Sequence, residues 1–467
     1  MSVIGSPLID LQAIPSDVRE VCARLRQAGF QAYLVGGGIR DLLLGRHPND
    51  FDVATDAHPQ QVMGLFGARF AIPTGLQHGT VTVVTDGATG PRHVEVTTFR
   101  GEGAYVDGRR PSTVTYVGTL EEDLSRRDFT MNAIGFDPVS GTLCDPFLGQ
   151  ADMERRRVRA VGDARDRFRE DGLRPMRAVR QAAQLEFEIE PATLAAIPLT
   201  LDVFRKVSAE RVRDEMLKLL AARRPSVGIE LMRGSGLLGE VLPELLESHG
   251  VTQNRFHKHD VYAHTLAVVD ATAGDAITRL GALLHDIGKP RARQPREGAP
   301  GEYSFFKHEY VGATMAEDVC RRWKLSNADR DRVVAMVAHH MFFYTPEWTD
   351  GTVRRFVRRI GPDVLPRLFA LREGDIAGRG FDEDPEAELG ELRRRIASVA
   401  AEDAAMSVSD LAVDGRDVMR ILGVPPGRAI GVLLDRLLDR VLDEPGLNNP
   451  IDLERLLREL ARAPASG

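Results

Sequence analysis

The chain changes its hydrophobic period partway along, and that change limits the folds open to it more than any other feature. From about residue 30 to 150, short alternating runs such as Thr80-Val81-Thr82-Val83-Val84 lie between glycine and proline turns, the pattern of strands with one buried face. Later segments instead repeat apolar residues at helical spacing. Ser208 through Leu220 opens on a cap residue and carries an apolar stripe at Val212, Met216, Leu219 and Leu220. An α+β chain is therefore expected, with a small mixed β-sheet head followed by a long, mostly α-helical body. Its 467 residues suffice for several domains, and no internal repeat is evident.

Within the head, Asp50 and Asp52 stand two residues apart in Asn49-Asp50-Phe51-Asp52-Val53. On a strand, such a pair projects from one face and can share one or two divalent cations. Carboxylate oxygens are hard ligands that suit Mg²⁺. Upstream, Ala32-Tyr33-Leu34-Val35 reads as a strand, and Gly36-Gly37-Gly38 leads into a helix beginning near Ile39-Arg40-Asp41. Glycines let backbone amides approach an anion, and Arg40 adds a fixed positive charge, so this junction suits a phosphate. The glycine run has neither the dinucleotide fingerprint nor the Walker spacing. An isolated Asp-x-Asp is as readily a solvated turn or cap; the combination with the glycine run is what favours a site.

These runs resemble the signature of the nucleotidyltransferase superfamily, specifically the bacterial tRNA nucleotidyltransferase and poly(A) polymerase family, class II. Further segments resemble it too. Val94-Glu95-Val96-Thr97-Thr98-Phe99-Arg100 and Tyr105 through Pro111 are similar to its second strand pair and loop, and Arg126-Arg127-Asp128 to its Arg-Arg-Asp motif. Glu95 alternates with Val94 and Val96, which makes it either a third carboxylate beside the metal or an exposed strand residue. The resemblance implies a nucleotidyltransferase head over residues 30–155, with Asp50 and Asp52 as catalytic metal ligands. It also implies that Gly37, Arg40 and Arg127 bind nucleotide.

Glu170 through Arg180 carries the chemistry of base selection. Asp171, Arg174, Arg177 and Arg180 recur every three residues, so a helix starting near Asp171 would set them in one polar row. Cytosine and adenine each offer an exocyclic amine beside a ring-nitrogen acceptor, which an Asp acceptor and an Arg donor meet together. Uracil and guanine reverse the pattern, and unpaired buried polar groups then reject them. By resemblance to the family's Glu-Asp-x-x-Arg motif, Asp171 and Arg174 read the base, while Arg177 and Arg180 serve phosphate or nearby structure. CTP and ATP are the implied nucleotides, and the tRNA 3′ end with its acceptor stem is the implied partner. CCA addition, A-only addition and poly(A) addition all stay open, although the full-length loop from Gly101 to Thr115 leans against a CC-only enzyme.

A second constellation follows: His264, then Leu283-Leu284-His285-Asp286-Ile287-Gly288-Lys289, then His308, His339, His340 and Asp375. Imidazoles with an adjacent His-Asp pair on helices form a reasonable divalent-metal arrangement. This set resembles the HD phosphohydrolase superfamily, with His264, His285, Asp286 and Asp375 as metal ligands and His308 and His340 placed to complete a second position. A divalent transition metal is the implied occupant. Hydrolysis of phosphate monoesters or cyclic phosphates at RNA ends, and a purely structural role, both remain open. A hydrolase whose head only binds RNA is the alternative of another class.

The formal net charge of −7 is awkward for a nucleic-acid partner, since affinity comes largely from basic side chains releasing counterions. Positive charge must then be local, and Arg155-Arg156-Arg157 with Arg159, Arg354-Arg355 with Arg358-Arg359, and Arg393-Arg394-Arg395 are either backbone tracks or solvated helix faces. Cys22, Cys144 and Cys320 are scattered, which argues against a disulfide scaffold or thiolate zinc site. No apolar run of about 18 residues occurs, so no membrane span is expected and the cytoplasm is the expected compartment. The expected organisation is a helical lead-in over 1–29, the head over 30–155, neck and nucleotide-selecting helices over 156–250, an HD domain over 257–378, and a helical tail over 387–467 that either binds tRNA or only packs.

Overall fold

The computed structural model describes residues 9–87, 90–101, 115–253, 258–296, 302–381, 384–401 and 407–462, in two compact units, Met1–Pro243 and Glu244–Gly467. The loop expected at Tyr105 through Pro111 lies outside the described residues.

The first unit is built on seven strands: β1 (Ala32–Val35), β2 (Asp52–Thr55), β3 (Ala71–Gly75), β4 (Thr80–Gly87), β5 (Gly90–Thr98), β6 (Gly135–Asp137) and β7 (Thr142–Cys144). They order as β3-β4-β5-β2-β1-β6-β7. Every neighbouring pair is antiparallel except β2 and β5, which run parallel with Asp52 beside Glu95 and Val53 beside Val96. The period of two sets the faces: Val94 and Val96 are buried while Glu95 between them is exposed. Asp52 opens β2, so Asp50 is not on the strand as the spacing suggested, but exposed in the approach to it.

The Arg174–Leu185 helix buries Met176, Val179 and Ala182 and packs on the Ala209–Leu220 and Pro225–Ser235 helices. The stripe Val212, Met216, Leu219 and Leu220 is buried as its spacing predicts, although Ser208 at the cap position makes no side-chain capping bond. The expected helix start near Asp171 is corrected. One helix, Ala164–Glu170, ends at Asp171, and the next begins only at Arg174. The reason is Gly172, where an added Cβ would stand 2.6 Å from the Val203 carbonyl oxygen. The chain turns there because only glycine tolerates that approach, and Pro175 then sits in the first turn, where its missing N–H costs nothing.

In the second unit, the helices Val261–Ala271, Ala276–Leu284, His308–Arg322, Asn327–His339 and Leu365–Gly378 pack together. Each brings an apolar face inward, and Leu280, Leu283, Val319, Met336, Val337 and Leu371 are essentially inaccessible. A short pair of antiparallel strands, Gln294–Pro295 with Tyr303–Ser304, follows the Lys289–Ala292 helix. After the Leu365–Gly378 helix, the next helix spans Pro385–Ala401. Toward the C-terminus, Gly415–Leu422, Arg428–Asp443 and Pro450–Arg462 enclose Val418, Leu437, Leu438, Val441, Leu442, Leu453 and Leu457. Each such residue contributes about 1.5–3 kcal/mol when fully buried. Gly423, at φ +66°, ends the first of these helices, and Gly427 stands at the N-cap of the second. Among the described residues, no helix is long and apolar enough to cross a membrane.

Candidate active site

The sheet of the first unit offers Asp52 on β2, Glu95 and Thr97 on β5, and Thr80 on β4 to a cleft of about 340 Å³. Arg126, Arg127, Asp128, Asp171, Arg174, Arg177 and Arg211 line its other sides. Asp52 and Glu95 are register partners on parallel strands, so their side chains rise from one face. Burial pushes the Asp52 pKa up to about 6; Arg127 opposes the shift, and the neighbouring charges of Glu95 and Asp50 add to it. Asp52 and Glu95 thus share the cleft, a pair of carboxylates whose charge a divalent cation would relieve, whereas Asp50 is exposed in the approach to β2 and does not line the cleft.

Gly36 is held at φ +78° between β1 and the Gly37–Leu43 helix, and an added Cβ there would meet Arg127 Nη1 at 3.2 Å and Asp52 Oδ2 at 3.4 Å. Glycine is therefore favoured by the positive φ, and a Cβ would press on the tip of the Arg127 side chain. Arg127 is anchored by Asp123 through Nη2 at 3.2 Å, while its buried Nε has no hydrogen-bond partner among the described residues. Asp123 is 1 % exposed and also accepts from Arg126 Nη2 at 2.5 Å and from the Arg100 amide at 3.1 Å.

The row expected at 171, 174, 177 and 180 divides. Asp171 Oδ1 accepts from the Leu173 amide at 3.0 Å, and Oδ2 from Arg211 Nη2 at 2.7 Å. Arg174 is clamped by Glu170 Oε2 at 2.6 Å and by the carbonyls of Arg167 and Arg126 at 2.9 and 2.8 Å. Three of its five N–H donors are used, and Nε–H and one Nη2–H are left for a ligand. Arg177 pairs with Asp128 at 2.6 Å; burial works against the Asp128 charge, yet the guanidinium holds that carboxyl well below its ordinary range. Arg180 does not line the cleft. It bonds Glu215 at 2.5 Å and Gln184 at 2.7 Å. Arg40 is likewise turned to the protein, bonding Asp41, Asn132 and Gln181, and Gly37 starts the helix beside it without lining the cleft.

Sequence reasoning missed Asp123 and Arg211, and it placed Glu170 in the motif without giving it a role. Asp123 precedes Arg126 and Arg127 by three and four residues, and Glu170 precedes Arg174 by four, spacings at which side chains meet on a helix. Arg211 lies forty residues from Asp171 in sequence, and no local pattern links them.

In the second unit, His264, His285 and Asp375 form one group of donors within 4.8 Å of one another, and Asp286, His308 and His340 form another. His264 Nε2 lies 3.1 Å from Asp375, His285 Nε2 3.1 Å from Asp286, and His308 Nε2 3.2 Å from both Asp286 and His340 Nε2. Each imidazole turns Nδ1 to a carbonyl oxygen, those of Gly378, Ala282, Phe305 and Val337 respectively. Carbonyls only accept, so Nδ1 carries the proton and Nε2 is left as the ligand atom, the usual outer arrangement of metal-bound histidine. Lys289 bonds Asp286 at 2.6 Å, and Arg372 bonds Asp375 at 2.6 Å. His339, by contrast, belongs to neither group.

Of the arginine clusters only Arg354 is buried; most of the others pair with carboxylates at the surface. Arg354 bonds the Leu442 carbonyl, Arg355 pairs with Asp443, Arg358 with Asp435, Arg393 with Glu373, Arg395 with Asp350 and Arg159 with Asp152.

Residues 32–159 match the family described as Poly A polymerase head domain, residues 186–248 that described as probable RNA and SrmB-binding site of polymerase A, and residues 261–377 the HD domain. A CCA-adding enzyme of Levilactobacillus brevis is 42 % identical over 273 residues, 58 % of this chain and 66 % of that protein. That of Lactobacillus johnsonii is 44 % identical over 241 residues, so the chain spans 58 % of its length. That of Geobacillus thermodenitrificans is 35 % identical over 424 residues, 91 % of both chains. Among solved structures, the Bacillus stearothermophilus CCA-adding enzyme in complex with CTP superposes with a TM-score of 0.72 at 32 % identity, covering 96 % of this chain and 97 % of that one.

Proposed function

The chain belongs to the family of CCA-adding enzymes, and from that premise we propose that it adds CMP and AMP to the 3′ end of tRNA without a nucleic-acid template. The observation that carries this is the pairing of Asp52 with Glu95 in one cleft with Asp171 and Arg174. Acidic oxygens for metal and paired groups for a base edge then serve the same nucleotide.

In this reading Asp52 and Glu95, with Asp50 from the approach to β2, would hold divalent metal, with Mg²⁺ as the ion their hard oxygens favour. Bound there, it would supply charge stabilisation to the entering and leaving oxygens. The terminal 3′-hydroxyl of tRNA attacks the α-phosphate of CTP or ATP, and pyrophosphate leaves without a covalent enzyme intermediate. Arg127, aimed by Asp123, meets the phosphates. Asp171 accepts from the exocyclic amine of cytosine or adenine, and Arg174 donates to the adjacent ring nitrogen. Both are held rigidly by Arg211 and Glu170, so a uracil or guanine edge leaves donor facing donor and acceptor facing acceptor. Arg177 supports the site through Asp128. Arg180, Arg40 and Gly37 act on its framework. The proposed compartment is the cytoplasm, and the proposed division of labour keeps the head at 30–155, selection helices at 156–250, HD domain at 257–378 and tRNA-binding tail at 387–467.

A second reading concerns the second unit. Nε2 atoms with Nδ1 anchored on carbonyls, beside Asp286 and Asp375, support a divalent transition-metal site and a phosphohydrolase activity there. Incubation with Mg²⁺, labelled CTP or ATP, and tRNA ending at the discriminator base, at C or at CC tests the first reading. Addition of both nucleotides in order supports it. A alone onto CC supports the split activity, long A tracts on unstructured RNA support a polymerase, and failure on every primer beside robust phosphatase activity supports a hydrolase.

A further inference from the structure

Thr80 and Thr97 are the only uncharged polar side chains among the described residues that line the cleft of the first unit; apart from Val35 and Val53, the others are carboxylates and arginines. They are register partners on β4 and β5, both half-buried, with hydroxyl oxygens 3.0 Å apart. One hydroxyl donates to the other, so the pair keeps one O–H donor and unused acceptor lone pairs. A cross-strand threonine pair can serve the sheet alone, and Thr74 with Thr82, at 2.7 Å, forms another on β3 and β4. That second pair does not line the cleft.

Position separates the two pairs. Along the strand order, Gly36 after β1 comes first, then Asp52 on β2, then Glu95 and Thr97 on β5, and last Thr80 on β4. Arg127 stands at the Gly36 end, where an added Cβ would meet its Nη1 at 3.2 Å. In an in-line displacement the attacking oxygen enters opposite the leaving group. Pyrophosphate leaving toward Arg127 and Gly36 therefore puts the attacking 3′-hydroxyl, and the ribose that carries it, on the β5–β4 side of the carboxylates.

We propose that Thr80 and Thr97 hold the 2′-hydroxyl of the acceptor strand's terminal ribose, selecting an RNA end and aiming the neighbouring 3′-hydroxyl. The inference rests on the nucleotidyltransferase reading of the cleft given above. A ribose 2′-hydroxyl both donates and accepts, which a hydroxyl pair matches, and it is the group that tells RNA from DNA. The arginines of the cleft are suited to phosphate instead. A 2′-deoxy end would leave the threonine pair without a partner.

The test uses the full-length protein with Mg²⁺, ATP and two tRNAs ending at CC, identical except that the last nucleotide is cytidine or 2′-deoxycytidine. Initial rates of AMP addition give kcat/KM for each primer. The wild type should favour the ribose end by about tenfold, the scale of one or two hydrogen bonds. Thr80→Val/Thr97→Val keeps side-chain size and strand preference. It should lower kcat/KM about tenfold on the ribose end and less than about twofold on the deoxy end, so that the preference disappears. The KM for ATP should stay within about twofold, because the pair touches the acceptor and not the nucleotide. Thr80→Ser/Thr97→Ser returns both hydroxyls and should restore the preference, and Thr74→Val, which breaks the pair outside the cleft, should keep it. Indifference of the wild type to the 2′-hydroxyl overturns the proposal even if no variant folds. Survival of the preference in the valine variant, its loss in Thr74→Val, or an equal loss of rate on both primers also overturns it, while the nucleotidyltransferase reading stands. Addition to neither primer by the wild type contradicts that reading itself, and the subsite falls with it.

Discussion

Replacing Asp123 with Asn should weaken the first unit and blunt its nucleotide affinity together, because one buried carboxylate does both jobs. At 1 % exposure it receives Arg126, Arg127 and the Arg100 amide, and the asparagine amide would instead turn an N–H₂ toward one of the two guanidiniums. Removing one partner of a buried ion pair costs about 3–5 kcal/mol. Both arginines retain some solvent contact, with side chains 19 % exposed, which favours the lower end. For a unit of this size each kcal/mol lowers the melting temperature by roughly 2–4 °C, so a drop of about 6–12 °C is expected. Calorimetry should show it in one transition only. The KM for CTP should rise as Arg127 loses its aim. Burial works against the Asp123 charge, but Arg127 and Arg126 hold its pKa below the ordinary value. Its stabilising contribution is therefore present above about pH 4 and is lost as the pH falls below that. The variant should lose less stability than the wild type on that acid limb. An unchanged melting temperature with an unchanged KM would refute the reasoning.

Further outcomes can be checked separately. Asp52 has its pKa raised to about 6, so in metal-free protein its protonated form favours the fold at low pH, and that stability fades as the pH rises from about 4 through 6. Mg²⁺ should then raise the melting temperature of the first unit more at pH 7 than at pH 5, and Asp52→Asn should remove most of that difference. Arg174→Lys should cut discrimination of CTP against UTP by about 10²-fold or more, measured as a ratio of kcat/KM values, because one ammonium cannot replace a clamped planar fork. Gly172→Ala should destabilise the first unit by about 1–3 kcal/mol in denaturant unfolding, since the added Cβ would meet the Val203 carbonyl. His285→Ala with Asp286→Ala should abolish Ni²⁺ binding in the second unit by calorimetric titration without slowing CTP incorporation.

Local rules carried much of the fold. Period-two alternation located β4 and β5, and the stripe from Val212 to Leu220 located a buried helix face. Where a distant carbonyl intervenes, such rules fail: nothing near Gly172 in sequence announces Val203, so the three-residue spacing from Asp171 reads as one helix when it is a turn and a helix. The candidate site shows the same division. Asp52, Arg127, Asp171, Arg174 and Arg177 were legible and line the cleft. The neighbourhood of Asp52 and Glu95 depends on parallel pairing across some forty residues, and Arg211 on helix packing, neither of which leaves a local trace. Arg40 was read as a binding charge and Arg180 as serving phosphate or nearby structure; the partners that hold them, Asn132 and Gln181 for Arg40 and Glu215 for Arg180, are remote from them in sequence.

The most direct test is single-turnover addition to tRNA ending at the discriminator base, with each of the four nucleoside triphosphates offered alone and Asp52→Asn run beside the wild type. Incorporation of CTP first, refusal of UTP and GTP, and a loss of about 10³-fold or more in the variant are the predicted results. Retained transfer in Asp52→Asn, or equal use of all four nucleotides by the wild type, would contradict the account.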